Sequence, residues 1–184
     1  MLKIKRLIVS FMLFAMPVSA NAIDLSLLDQ ENLMMMQLHS GVVAIEMRPD
    51  KAPKTVARLK ELIRAGFYNG LAFHRVIDGF MAQTGDPKGD GTGGSGQRLD
   101  EEFNSLRLIR GRTAMAREAD DINSADSQFF IMLATQRLLA QYTSWGRVVD
   151  GMNHVDNITK GVEKNMGVVD FPDRIIRVWI AADK

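Results

Sequence analysis

Apolar and polar residues change their period several times along the chain, and each change marks an element. Leu33–Leu38 and Val42–Met47 are apolar, β-favouring runs separated by His39-Ser40-Gly41, the pattern of a hairpin whose glycine supplies the awkward turn geometry. From Pro53 the spacing lengthens: Val56, Leu59, Leu62 and Ile63 recur at helical intervals until Gly66 stops the run. Proline suits the first turn of such a helix, where its missing N–H is not wanted. Met152, Val155 and Ile158 mark a second, shorter helix ended by Gly161. Leu71–Gln83, Thr113–Ala116, Gln128–Leu133, Ser144–Val149 and Arg174–Ile180 read as further strands. Many short strands with only two helices predict a closed or nearly closed antiparallel barrel rather than an alternating parallel α/β sheet.

Alternation also sorts the side chains within Leu71–Gln83. Phe73, Arg75 and Ile77 share one face of the extended chain, and after a bend at Gly79 the pair Met81 and Gln83 shares a face. His74 should then point to the side opposite Arg75. A guanidinium set among apolar residues and an amide, with no nucleophile, base or metal cage beside it, suits binding and electrostatic steering of an uncharged substrate. Taken by itself, without the rest of the chain, Arg75 reads better as a surface arginine on a core strand.

The 184 residues and a hydrophobic content of 46% fit one domain. Lys3, Lys5 and Arg6 precede an apolar stretch from Leu7 to Met16, and Val18-Ser19-Ala20-Asn21-Ala22 follows, the charge, grease and Ala-x-Ala order of a secretory signal peptide. Residues 1–22 are therefore expected to be removed, with Ala20 the alternative cleavage point, leaving 23–184 as the mature domain. The apolar run is about half of the roughly 20 residues that a spanning helix needs, so no lasting membrane anchor is expected. Without its three basic residues, the 23 Lys plus Arg become 20 against 22 Asp plus Glu. A net charge of −2 argues against nucleic acid as a partner. The absence of cysteine excludes disulfides, thiol catalysis and thiolate metal sites.

Two further motifs lose on context. Gly91-Thr92-Gly93-Gly94-Ser95-Gly96 satisfies the G-x-G-x-x-G spacing of dinucleotide sites, but it follows Asp86-Pro87-Lys88-Gly89-Asp90 rather than a hydrophobic strand. The Gln97-Arg98-Leu99-Asp100 that comes after it lacks the apolar first turn of a Rossmann helix. It reads as a tightly turned or flexible loop. Glu118, Asp120, Asp121 and Asp126 do not follow the alternating order of a calcium loop, and a solvated acidic loop is expected. His39, His74 and His154 fall on separate elements without metal spacing, so no metal or cofactor is expected.

Phe73-His74-Arg75-Val76-Ile77-Asp78-Gly79-Phe80-Met81-Ala82-Gln83-Thr84-Gly85-Asp86, Met115-Ala116-Arg117 with Ser127-Gln128-Phe129-Phe130-Ile131, and Tyr142-Thr143-Ser144-Trp145-Gly146-Arg147-Val148 stand in order along the chain. Together they resemble the cyclophilin-type peptidyl-prolyl cis-trans isomerases, in versions similar to the bacterial exported branch. The resemblance runs from about Val42 to Ile180 and implies a closed eight-stranded antiparallel β-barrel capped by two α-helices. It further implies Arg75 and Gln83 as catalytic residues. Phe80, Met81, Phe130 and Leu138 would hold the proline ring, and the main chain at Ala116 and Arg117 would hold the residue before it. Tyr142 stands where many eukaryotic members carry His and still offers a hydroxyl. Arg137 stands where many carry the Trp that packs on cyclosporin, so weak cyclosporin binding is expected.

The function so implied is isomerisation of X–Pro bonds in proline-containing polypeptide clients by a monomeric, periplasmic protein, with secretion as the alternative. The reaction breaks no covalent bond, and its barrier of roughly 18–20 kcal/mol comes from lost amide resonance. A fixed donor aimed at the prolyl nitrogen therefore helps most when the bond is twisted. A rival expectation is a proline-peptide binding module or holding chaperone that uses the same pocket with negligible turnover.

Overall fold

The computed structural model describes residues 23–136 and 141–184. The expected signal segment, residues 1–22, and two of the expected site positions, Arg137 and Leu138, lie outside the described residues. Eight antiparallel strands form one sheet: β1 (Leu33–Leu38), β2 (Gly41–Met47), β3 (Arg75–Ile77), β4 (Met81–Thr84), β5 (Arg112–Met115), β6 (Phe129–Met132), β7 (Ser144–Asp150) and β8 (Arg177–Ile180). Their spatial order is β3-β4-β6-β5-β7-β2-β1-β8.

The first hairpin forms as its pattern predicts, with Leu38 opposite Gly41. The run from Leu71 to Gln83, by contrast, is no single bent strand. The chain reverses fully at Asp78-Gly79-Phe80, where Gly79 takes a φ of +64° that side chains rarely adopt, and β3 and β4 pair as a hairpin. That reversal supplies the eighth strand.

Helix α1 (Pro53–Arg64) buries Val56, Leu59, Leu62 and Ile63 and packs against β8. Its first amides are met by a distant carboxylate: the N–H groups of Lys54 and Thr55 donate to Glu102 at 2.9 and 2.8 Å, an anion at the positive end of the helix. Helix α2 (Met152–Asp156) packs against β2 and ends earlier than its pattern predicts, with Ile158 buried just beyond it. Among the described residues no helix is long and apolar enough to cross a membrane.

The expected closed barrel is corrected by the sheet edges. The sheet curls through 203° into an open half-barrel, and β3 and β8 do not pair. The outer edge of β3 is occupied instead by the segment around residues 161–173. Val76 N–H donates to Gly167 at 2.7 Å, Gly161 N–H to Val76 at 2.9 Å, Val169 N–H to His74 at 3.0 Å and Phe73 N–H to Asp173 at 2.9 Å. A strand cannot take an edge whose donors and acceptors are already used.

Side chains on the two faces of this sheet enter two separate apolar clusters. Phe129 and Ile131 of β6 point into the main core with Ala82 and Met115. Phe130 and Met132, one residue out of phase, join Met81, Ala114 and Leu108 in a smaller cluster on the other face. Phe80, Ile77, Ala116 and Tyr142 pack around it.

Candidate active site

Register builds the site. Arg75 pairs with Gln83 across β3 and β4, Gln83 with Phe130 across β4 and β6, and Phe130 with Ala114 across β6 and β5. One row across four strands thus carries a cation, an amide, an aromatic ring and a small residue, all on the face away from the main core. The adjoining row, Ile77, Met81 and Met132, is wholly apolar. Over these rows lies an open pocket of about 370 Å3 whose walls include Arg75, Gln83, Phe80, Met81, Phe130 and Tyr142. Ala116 and Arg117 border it at one end and Val168 at the other. The structure therefore brings eight of the expected residues together.

The Arg75 guanidinium is held from two sides. Nε donates to the Met166 carbonyl at 2.9 Å and Nη1 to Gln83 Oε1 at 3.2 Å. Among the described residues Nη2 makes no hydrogen bond. Burial is the main influence on this group and lowers its pKa from the ordinary arginine value; an arginine so lowered remains a cation.

Gln83 is itself oriented. Its Nε2 donates to Gln128 Oε1 at 2.9 Å, and Gln128 Nε2 donates to the carbonyls of Gly91 and Gly93 at 2.9 and 2.8 Å. The glycine run is therefore a turned loop tied to the site through Gln128. Asp86, 1% exposed, accepts from the amides of Lys88, Asp90 and Gly91 at 2.8, 3.1 and 2.5 Å. Burial pushes its pKa up, but the amides of Lys88, Gly91, Gly93 and Gly89 together outweigh burial and the net shift is downward. Asp126 holds the far end, accepting from Ser95 N–H at 2.7 Å, from the Ser95 hydroxyl and from Gly96 N–H at 2.9 Å. It is thus a structural anchor rather than part of a solvated loop. Glu118 and Asp121 pair with Arg98 at 3.3 and 2.8 Å.

The aromatic wall is made by contact geometry. Phe130 and Tyr142 meet edge to face, centroids 5.3 Å apart at 88°, and the Arg117 guanidinium lies 5.4 Å from the Tyr142 ring. Such arrangements use the ring quadrupole. His74 also borders the pocket. It precedes the regular part of β3, so strict alternation does not govern it.

Gln128, Met166 and Val168 carry no sequence signal of their own for this site. Gln128 lies within the Ser127–Ile131 motif, and the need of the Gln83 amide for an acceptor is the signal that points to it. Met166 contributes a main-chain carbonyl, which carries no residue signature.

The chain matches the family model described as cyclophilin type peptidyl-prolyl cis-trans isomerase over residues 33–180. It is 51% identical over 168 residues to a probable peptidyl-prolyl cis-trans isomerase of Brucella suis, covering 84% of this chain and 85% of that protein. It is 38% identical over 135 residues to peptidyl-prolyl cis-trans isomerase-like 3 of Gallus gallus, covering 69% of this chain and 83% of that one. Among solved structures, the cyclophilin AquaCyp293 from Hirschia baltica superposes with a TM-score of 0.75 at 27% identity, over 85% of this chain and 76% of that one. A cyclophilin type isomerase of Cryptosporidium parvum, crystallised in the presence of the dipeptide Ala-Pro, superposes with a TM-score of 0.72 at 29% identity, over 80% and 98%. The chain belongs to the cyclophilin-type peptidyl-prolyl cis-trans isomerase family, and it is an enzyme of that class.

Proposed function

We propose that the pocket above Met81 and Phe130 receives the proline ring and that Arg75 lowers the barrier by donating to the prolyl nitrogen. In the planar ground state that nitrogen shares its lone pair with the carbonyl. As the bond twists, conjugation is lost and the lone pair localises, so a donor already in place stabilises the twisted state more than the planar one. The observation that carries this reading is the doubly anchored guanidinium on an apolar floor. Nε and Nη1 are committed to Met166 and Gln83, which leaves Nη2 for the substrate and keeps the fork from swinging to meet it.

Each other residue acts by position. Phe80, Met81 and Phe130 offer a ring-sized apolar surface to a residue that has little but hydrocarbon to recognise. Gln83 keeps Arg75 in place. The main chain at Ala116 and Arg117 fixes the residue before proline without reading its side chain, which makes for broad specificity. Tyr142 closes the aromatic wall against Phe130. Resemblance to the family would assign Leu138 to the proline-binding residues, and Arg137 in place of a cyclosporin-binding Trp would leave catalysis intact with weak cyclosporin binding.

The setting follows from the first 22 residues, which we read as an export signal: a monomeric, periplasmic folding catalyst whose clients are proline-containing chains. Uncatalysed X–Pro isomerisation takes tens to hundreds of seconds at 25 °C, slow enough to limit folding. A mature N-terminus at Ile23, found by mass spectrometry of the exported protein, is the expected outcome of the export reading, and an uncleaved Met1 would overturn it. For the site, the test is isomerisation of a short X–Pro peptide by the wild type and by Arg75→Ala. Equal rates would remove the guanidinium from the mechanism.

A further inference from the structure

The segment that occupies the outer edge of β3 exposes an unusual amount of apolar surface. Val162 is 51% exposed, Met166 70%, Val168 51% and Phe171 91%. Isolated exposed apolar residues are ordinary, but four within ten residues, beside a pocket, are not. Val168 pairs with Arg75 across an isolated bridge and forms part of the pocket wall. Met166 accepts from the catalytic guanidinium through its carbonyl. The exposed run therefore reaches the pocket at Val168, with Met166 two residues before it and Phe171 three residues after it along the same segment.

Sheet order gives the direction of the client chain. From one end of the groove to the other the elements run Ala116 after β5, Phe130 on β6, Gln83 on β4, Arg75 on β3, then Val168. With the residue before proline held at Ala116, the chain after proline leaves across Arg75 toward Val168 and Met166. The backbone there is fixed: Gly167 and Val169 bond to Val76 and His74 of the strand region at 2.7 and 3.0 Å, and Gly167 is packed close against Ile77. A fixed apolar ledge needs no ordering when an apolar chain settles on it.

We propose that this ledge makes the enzyme select X–Pro bonds followed by apolar residues, the signature of chain segments that are buried once folding is complete. The proposal rests on the proline-pocket reading and adds a specificity to it. The outward faces of Met166 and Phe171 receive the two or three residues after proline. Polar residues at those positions gain nothing there and leave the ledge in water.

The experiment compares two peptides that share one X–Pro pair, one followed by Leu-Phe and the other by Gln-Ser. The value of kcat/KM is measured for each with wild type, Met166→Asn and Phe171→Ser. Asn tolerates the left-handed backbone of Met166, whose φ is +56°. The ratio of the two values is read on one protein, so loss of active material cancels. The wild type is expected to prefer the apolar peptide by about tenfold, and both variants together should bring the ratio within about twofold of one. A wild-type ratio near one, or a ratio that survives both substitutions, overturns the proposal. Arg75→Ala, tested on a peptide that ends at the proline amide, reports on the pocket alone. Full activity there would overturn the underlying reading whatever the ratio does.

Discussion

Gln83 and Gln128 are joined side chain to side chain, Nε2 of the first donating to Oε1 of the second at 2.9 Å. Because Gln128 spends its own amide donors on the Gly91 and Gly93 carbonyls, only its oxygen is left for Gln83. Gln83 must then turn its own oxygen to Arg75. The donors run one way, from guanidinium to loop, with no ambiguous member, and the glycine loop, itself pinned by Asp86, shares with the Met166 carbonyl in setting where the cation points.

Gln128→Ala tests that relay. One hydrogen bond of this kind is worth about 0.5–1.5 kcal/mol net, so kcat should fall by about 2–10-fold. KM should stay within about twofold, since Gln128 contributes no apolar wall to the proline pocket. Steady-state kinetics on a short X–Pro peptide separates the two. An unchanged kcat would mean that Gln83 keeps its orientation unaided.

Gly85 links the same elements from behind. Its φ is +90°, and a Cβ there would run into the Ser127 carbonyl, while the Ser127 hydroxyl donates to Gly85 O at 2.7 Å. Gly85→Ala should cost about 1–3 kcal/mol of backbone strain and lower the thermal midpoint by roughly 2–10 °C. Activity measured well below that midpoint should fall as well, because Gln83 and Gln128 stand on the two displaced segments. A midpoint equal to that of the wild type would contradict the close approach.

Much of this architecture is legible in the sequence, and the exceptions share a cause. Helix α1 is written in Pro53 and the spacing of Val56, Leu59, Leu62 and Ile63, all local signals. The β3–β4 reversal is not, because Asp78-Gly79 permits a bend as readily as a hairpin turn, and only pairing of Arg75 with Gln83 decides between them. The open edge was equally hidden: residues 161–173 contain no strand pattern, yet their main chain hydrogen-bonds to β3 and shuts out β8. At the site, the residue types were readable from the motifs, whereas the Met166 carbonyl, 91 residues distant from Arg75 along the chain, leaves no mark on composition or period.

Tyr142 meets Phe130 edge to face, and its ring is expected to matter more than its hydroxyl. Tyr142→Ala removes the edge-to-face contact with Phe130, a pair worth about 0.5–1.5 kcal/mol, and should raise KM by roughly 2–10-fold. Tyr142→Phe retains the packing and should stay within about twofold of the wild type. If the Phe variant were as impaired as the Ala variant, the hydroxyl would be the working group.

His74 is expected to give the fold a pH dependence. The residue is 5% exposed, and burial, opposed by the nearby Asp86 charge, lowers its pKa below the ordinary value of 6.5. The fold therefore favours the neutral ring. Its contribution is complete above about pH 6.5, the unfolded value, and is lost as pH falls through the lower folded value, at no more than about 1.4 kcal/mol per pH unit. Urea midpoints at pH 7 and pH 5 should differ more for the wild type than for His74→Gln. Identical differences would show that His74 does not carry the effect.

The measurement that bears most directly on the mechanism is the cis-trans exchange rate of a short X–Pro peptide at equilibrium, with saturating wild type and with saturating Arg75→Ala. Loss of one preorganised donor to a developing charge costs about 10²–10³-fold in other enzymes, and a loss of that order is predicted here. Peptide affinity should change by less than about tenfold, because the apolar floor of Met81 and Phe130 remains. Exchange by the variant within about twofold of the wild type would contradict the account.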